Sequence, residues 1–343
     1  MDVLEFKNRI KSGELAGWYI FSGEEDYLKK YYLKELKDVI LADETFMPFN
    51  YASWDGDEVD FAAIKEAIKA PPMMSDYKLV EWKFANLDTM KEGEREALTE
   101  LFEMKDDYPT SVFVIMTTSD GFDAGTIKKP SKLATRLSKG FDILNFPKST
   151  DAQLLAWLKK HFEAEKISAD AKTLNELLFR AGHSMDVLNS EVSKLCCFAA
   201  ANGKNTVDSN DVAFITSPSV ECDAFALSNA VTQKNAEMAL FAMRDLKQRK
   251  VEPQVILAML ERAYSDLVSV ALLIDEGRGA SDVESIMKLH PFKAKLYINS
   301  AKRIGTARLT ECLAELCKID AASKSGGSSG YGPIEMFITK NLK

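Results

Sequence analysis

Histidine and cysteine are scarce in this chain of 343 residues, and their placement closes off most metal and thiol chemistry. No two of the three histidines, His161, His183 and His290, are close enough to share one helical turn. The five cysteines include no C-x-x-C pair, so a zinc ribbon is not expected. They do not form a disulfide framework either, because Cys196 and Cys197 are adjacent within a helix-like segment. They read as small buried hydrophobes of a reducing compartment, which makes the cytoplasm the expected location. Long apolar runs are missing, so no membrane span is expected. Met1 to Leu15 is a mixed-charge amphipathic stretch without the apolar run of a signal peptide. An excess of positive charge is missing as well: 44 Lys and Arg against 52 Asp and Glu give a net charge of −8. Proteins that hold DNA alone through its phosphates are usually basic, so autonomous DNA binding is disfavoured. A local basic face could still contribute inside a larger assembly.

A working phosphate loop is also missing. A P-loop needs a glycine, four residues, then Gly-Lys-Ser/Thr, because backbone N–H groups and a lysine must surround the phosphates. Here Gly23 is followed by Glu24-Glu25-Asp26-Tyr27, and Leu28 stands where the second glycine belongs. Lys29 and Lys30 follow, but no hydroxyl residue comes next to reach Mg²⁺. Three carboxylates would repel a triphosphate, and an acidic helix start that suits the helix dipole is the simpler account. No apolar strand ends in the acidic pair of a Walker-B element. Gly326-Gly327-Ser328-Ser329-Gly330 matches the G-x-S-x-G nucleophile pattern literally, but it follows a helical segment and no histidine comes after it. A flexible Gly/Ser connection explains it better. No catalytic, metal-binding or cofactor-binding residue is therefore assigned.

What the chain does contain is 46% hydrophobic and 28% charged residues, the balance of a folded globular protein, in a length that calls for two or three domains. The first 146 residues alternate short β-rich runs with helical patterns: Gly17 to Phe21, Phe46 to Ala52, Lys78 to Trp82, Ser111 to Thr117 and Phe141 to Phe146 read as strands. Helices carrying Leu28, Tyr32 and Leu36, then Phe61 to Ala70, then Glu92 to Met104, fall between them. Such alternation predicts a parallel sheet with helices on its faces. After Pro147 the spacing turns helical. Leu154, Leu155, Leu158 and Phe162 mark one helix, and Leu174, Leu177 and Leu178 a second, which Ser168 could cap. Val187, Leu188, Val192 and Leu195 mark a third, and Val212 to Ile215 a fourth. Thr216 to Ser219 reads as a linker. The remainder carries further apolar stripes, including Ala239, Leu240, Met243 and Leu246, and a last helix beginning near Pro333. The expected architecture is one α/β domain (1–146) and two helical domains (147–216 and 217–343).

One surface feature stands apart. Pro71-Pro72 ends a helix, and Met73-Met74 follow at once, before Ser75-Asp76 and the strand at Lys78. Two large apolar side chains on a short stiffened loop are either tucked onto the domain's own core or offered to a partner.

Taken together these segments resemble the delta subunit of the bacterial DNA polymerase III clamp loader. Trp18 to Leu28 is similar to that family's first strand and acidic turn, and Pro72 to Val80 to its Pro-Leu-Phe-Ser-Asp segment leading into a strand. Leu188 to Leu195 looks like its middle-domain helix. Phe225 to Ala230, His290-Pro291-Phe292, Asp320 to Lys324 and Glu335-Met336-Phe337 correspond to blocks of its C-terminal domain. The resemblance implies an AAA+-like parallel-sheet domain of the P-loop NTPase type lacking a functional P-loop, a small helical lid and a helical collar. It implies a subunit that binds the sliding clamp and opens its ring, or holds it open, for loading onto primed DNA during replication. The ATP-binding loader subunits and the delta-prime subunit would be its partners through the collar. By position Met73 and Met74 would be the inserted pair, with Pro72 and Ser75 positioning the loop, where the family usually has leucine and phenylalanine. The alternatives are a degenerate P-loop ATPase and an AAA+-like adaptor that touches no clamp.

Overall fold

Five runs rich in β-branched and aromatic residues pair side by side in the computed structural model, which describes residues 1–126, 129–289, 291–327 and 329–342. They are β1 (Trp18–Ser22), β2 (Tyr51–Asp55), β3 (Lys78–Ala85), β4 (Ser111–Thr117) and β5 (Asp142–Asn145). Their order is β2-β3-β4-β1-β5, and every neighbouring pair is parallel. Parallel neighbours need crossover connections, and those connections place helices on both faces. Trp18, Ile20, Val80, Trp82, Phe113 and Ile115 face one side, against α4 (Phe61–Lys69), α5 (Glu92–Glu100) and α6 (Lys132–Leu137). The alternate residues Tyr19, Phe21, Leu79, Val112, Val114 and Met116 face the other side, against α1 (Val3–Ser12) and α2 (Asp26–Ile40). Both faces are therefore apolar, which is why β1 and β4 read as unbroken hydrophobic runs. This is the expected parallel sheet with helices on both faces. β1 is flanked by strands that come later in the chain, so the crevice beyond its carboxyl end is the topological switch point.

One strand differs from expectation. Phe46 to Ala52 is not extended throughout: Glu44–Phe46 forms a single 3-10 turn, α3 (Met47–Asn50) follows, and β2 starts only at Tyr51. The Asp43 carboxylate accepts the Thr45 N–H, and Pro48 sits in the first turn of α3, where a missing N–H costs nothing. The aromatic residues suggested a strand, but the capping residue and proline decide the local structure.

The chain divides into two compact units, Met1–Ser149 and Thr150–Lys343. Among the described residues the second is helical apart from a two-residue bridge between Ser168–Ala169 and Thr206–Val207. Its first helices are α7 (Asp151–Ala164), α8 (Ala171–Ala181), α9 (Met185–Ala201) and α10 (Ser209–Ile215). Leu154, Leu158, Leu177, Leu188, Leu195 and Val212 of these are fully buried. Ser168 lies in the bridge, and Asp170 caps α8 instead, accepting the Thr173 N–H. Among the described residues seven more helices follow: α11 (Val220–Thr232), α12 (Ala236–Gln248), α13 (Pro253–Asp275), α14 (Ala280–Met287), α15 (Pro291–Ile304), α16 (Thr306–Lys324) and α17 (Tyr331–Leu342). α13 packs against α11, α15 and α16, and its Leu260, Tyr264 and Leu267 share a core with Met243, Leu309, Leu316 and Phe337. Val187 and Leu240, counted in apolar stripes, are exposed. On α12 the inward positions are Ala239, Met243 and Leu246, at spacings of four and three, and Leu240 lies a residue beyond that face. No helix among the described residues is long and apolar enough to cross a membrane.

Candidate functional site

The crevice beyond β1 is where a P-loop would hold phosphates, and here the turn after β1 is bonded to the chain just past β5. Gly23 leaves the strand with φ of 102°, and a Cβ there would lie 2.3 Å from the Phe146 carbonyl oxygen, so only glycine fits. That carbonyl accepts the Glu25 N–H at 3.0 Å, and the Phe146 N–H donates to Ser22 O at 2.7 Å. A backbone amide that a P-loop would turn toward phosphate is thus bonded to the chain just past β5. Lys29 lies six residues after Gly23, the P-loop lysine's place, yet its side chain has no exposed surface. Its Nζ donates to Thr117 O at the end of β4 at 2.8 Å and pairs with Asp26 Oδ1 at 2.8 Å. The lysine ties α2 to the sheet.

The methionine loop is built differently. α4 begins at Asp60, whose carboxylate accepts the N–H groups of Ala62 and Ala63, and ends at Ala70 before the two prolines. Lys78, the first residue of β3, is buried, and its Nζ donates to Ala70 O at 2.8 Å. Burial pulls the Lys78 amine below the usual lysine value. Between these fixed ends Pro72 is half-buried, Met73 is 42% exposed and Met74 is 81% exposed. Neither side chain is buried in the domain's own core. Ser75, half-buried, donates its hydroxyl to Ile40 O at 3.3 Å.

Sequence reasoning missed the residue that holds Met73. Asn50, at the end of α3 and 3% exposed, accepts the Met73 N–H at 2.7 Å and donates its amide to Met73 O at 2.8 Å. The only cue was a polar residue closing an apolar run, Phe46-Met47-Pro48-Phe49, and its partner lies 23 residues away. The next residue, Tyr51, donates its hydroxyl to the buried Glu81 Oε2, which Lys37 Nζ also reaches at 2.7 Å.

Among the described residues no group of three or more His, Cys, Asp and Glu could hold a metal ion. His290 and Ser328 lie outside the described residues. Residues 19–139 match the family described as DNA polymerase III, delta subunit, and residues 221–341 match the DNA polymerase III delta subunit, C-terminal domain, together more than two thirds of the chain. The chain belongs to the DNA polymerase III delta subunit family. Within that family it is similar to the DNA polymerase III subunit delta of Bacillus subtilis (strain 168), with 22% identity over 345 residues, 99% of this chain and 97% of the relative. Among solved structures it is similar to the Bacillus subtilis DNA clamp loader delta protein (YqeN), with a TM-score of 0.57, 21% identity and 99% of each chain covered. The family's first segment spans Gly23, Lys29 and the methionine loop, and its C-terminal segment spans nearly all of α11 to α17.

Proposed function

We propose that this chain is a non-ATPase clamp-loader subunit that grips the sliding clamp through Met73 and Met74 and opens its ring, or holds it open, for loading onto primed DNA. The observation that carries this reading is the exposure of both side chains on a loop whose backbone is fixed on either side. Methionine is long and pliant enough to fill an apolar pocket, and a buried anchor pair is the kind of contact that dominates an interface. The grip does work on the ring only to the extent that it favours the open state over the closed one. The bonded turn after β1 and the buried Lys29 support a subunit that leaves ATP to its neighbours. We divide the helical part into a lid (147–216) and a collar (217–343). Support for that division is the irregular Thr216 to Ser219 connection and the apolar core shared by α11 to α17. In this reading the collar joins the ATP-binding subunits and the delta-prime subunit, and the work is done in the cytoplasm.

The test is surface plasmon resonance against the sliding clamp of the same organism, with wild type compared to a Met73→Ala, Met74→Ala double variant of unchanged circular dichroism. The expected loss is about 2 kcal/mol or more, roughly thirtyfold in Kd. Mg-ATP added to wild type leaves the affinity unchanged. Binding that survives the double substitution moves the site elsewhere, and no wild-type binding to an active clamp overturns the reading.

A further inference from the structure

Met74 has φ of 54°, in the left-handed region that a non-glycine residue enters only at a cost of about 1–3 kcal/mol. Such a conformation persists only where the surroundings over-determine it, and here the residues on both sides are held. Ser75 is bonded to Ile40 O, and Met73 is bonded through both its N–H and its C=O to one side chain, that of Asn50. A side-chain amide that closes both bonds on one residue fixes that residue's orientation as well as its place. Asn50 is itself held from behind: it ends α3, and the adjoining Tyr51 is anchored to Glu81, which Lys37 also pairs.

We infer that Asn50 is a positioning residue for the clamp grip: its amide holds the Met73–Met74 loop in the binding-competent, left-handed conformation before the partner arrives. The inference rests on the proposed grip. A loop fixed in advance avoids the ordering cost of association, so affinity is gained without Asn50 touching the partner. Without the amide, Met73 N–H and C=O turn to water at the exposed loop and Met74 relaxes toward ordinary backbone angles.

Four variants test this on the full chain: Asn50→Ala, which removes both bonds; Asn50→Asp, which keeps an acceptor for the Met73 N–H but faces Met73 O with a carboxylate; and the Met73→Ala, Met74→Ala pair with and without Asn50→Ala. Hydrogen exchange on the free chain reads the hold directly, and Met73 N–H exchange is expected to speed up in Asn50→Ala while β3 and β4 stay protected. Clamp affinity of Asn50→Ala is expected to fall roughly three- to tenfold, and Asn50→Asp is expected not to restore it. In the double-methionine background Asn50→Ala is expected to have no further effect, since its influence passes through the loop. Asn50→Ala binding as tightly as wild type overturns the inference, and so does an equal loss in the double-methionine background, which marks general damage. A wild type that exchanges Met73 N–H slowly yet binds no clamp overturns the grip itself, and the positioning role with it.

Discussion

Lys29 has the sequence position of a P-loop lysine but not its surroundings. A P-loop lysine needs an ammonium free to reach phosphate; here the same group is buried between Thr117 O and Asp26. A lysine in a P-loop contributes to ligand binding, whereas this one contributes to folding. Removing it leaves a buried carbonyl without its donor and a half-exposed carboxylate without its partner. We expect Lys29→Ala to lower the unfolding free energy by about 2–4 kcal/mol, read as a shift of the urea midpoint. Lys29→Met, which keeps the apolar stem, should recover part of that loss. A Lys29→Ala variant as stable as wild type would show that the ammonium holds nothing together. The place of Lys29 six residues after Gly23 was visible in the sequence; its burial was not, because its acceptor is 88 residues away.

At the scale of elements, what could be read depended on whether the cause was local. Gly17 to Phe21 and Ser111 to Thr117 announced β1 and β4 because strands buried on both faces must be apolar throughout. The loop after α4 announced itself through Pro71-Pro72 and the methionines. α3 did not, since its aromatic composition suits a strand and a single proline and cap decide otherwise. The link between α2, β2 and β3 was also invisible, because Lys37, Tyr51 and Glu81 are distant in sequence. Burial pulls the Lys37 amine down, but its bonds to Glu81 and Tyr51 outweigh that and leave it above the usual lysine value. A lysine whose folded value is raised stabilises the fold fully below its unfolded value, and that contribution is lost as pH rises through the folded one. The stability gap between wild type and Lys37→Met should thus be constant from about pH 7 to about pH 10 and shrink above it. Lys83 and Tyr19 are also raised and Lys78 is lowered, so the difference between the two chains, not either curve alone, isolates Lys37. A gap that does not change across the alkaline range would mean that the ion pair does not couple α2 to the sheet.

For the whole molecule, charge limits what the chain can do alone. A net charge of −8 repels a polyanion at long range, yet α15 carries Lys293, Lys295, Lys302 and Arg303 and no acidic residue. Lys295, Lys302 and Arg303 are exposed, and positions 295 and 302 share one helical face, so a short basic stripe interrupts an acidic surface. Within about 10 Å at physiological salt such a stripe is felt locally, while the net charge governs the approach from farther away. If loading DNA is shared work, the isolated chain should hold primed DNA poorly and the assembled loader should hold it well. Fluorescence anisotropy with a labelled primer–template is expected to show no saturation below about 10 µM at about 0.15 M salt. At lower salt, any binding through Lys295, Lys302 and Arg303 alone should weaken with a log–log slope no steeper than about three released counterions. Sub-micromolar binding by the isolated chain at physiological salt would instead make this protein a DNA-binding unit in its own right. Contact with the primer–template would then stand beside the proposed grip at Met73 and Met74.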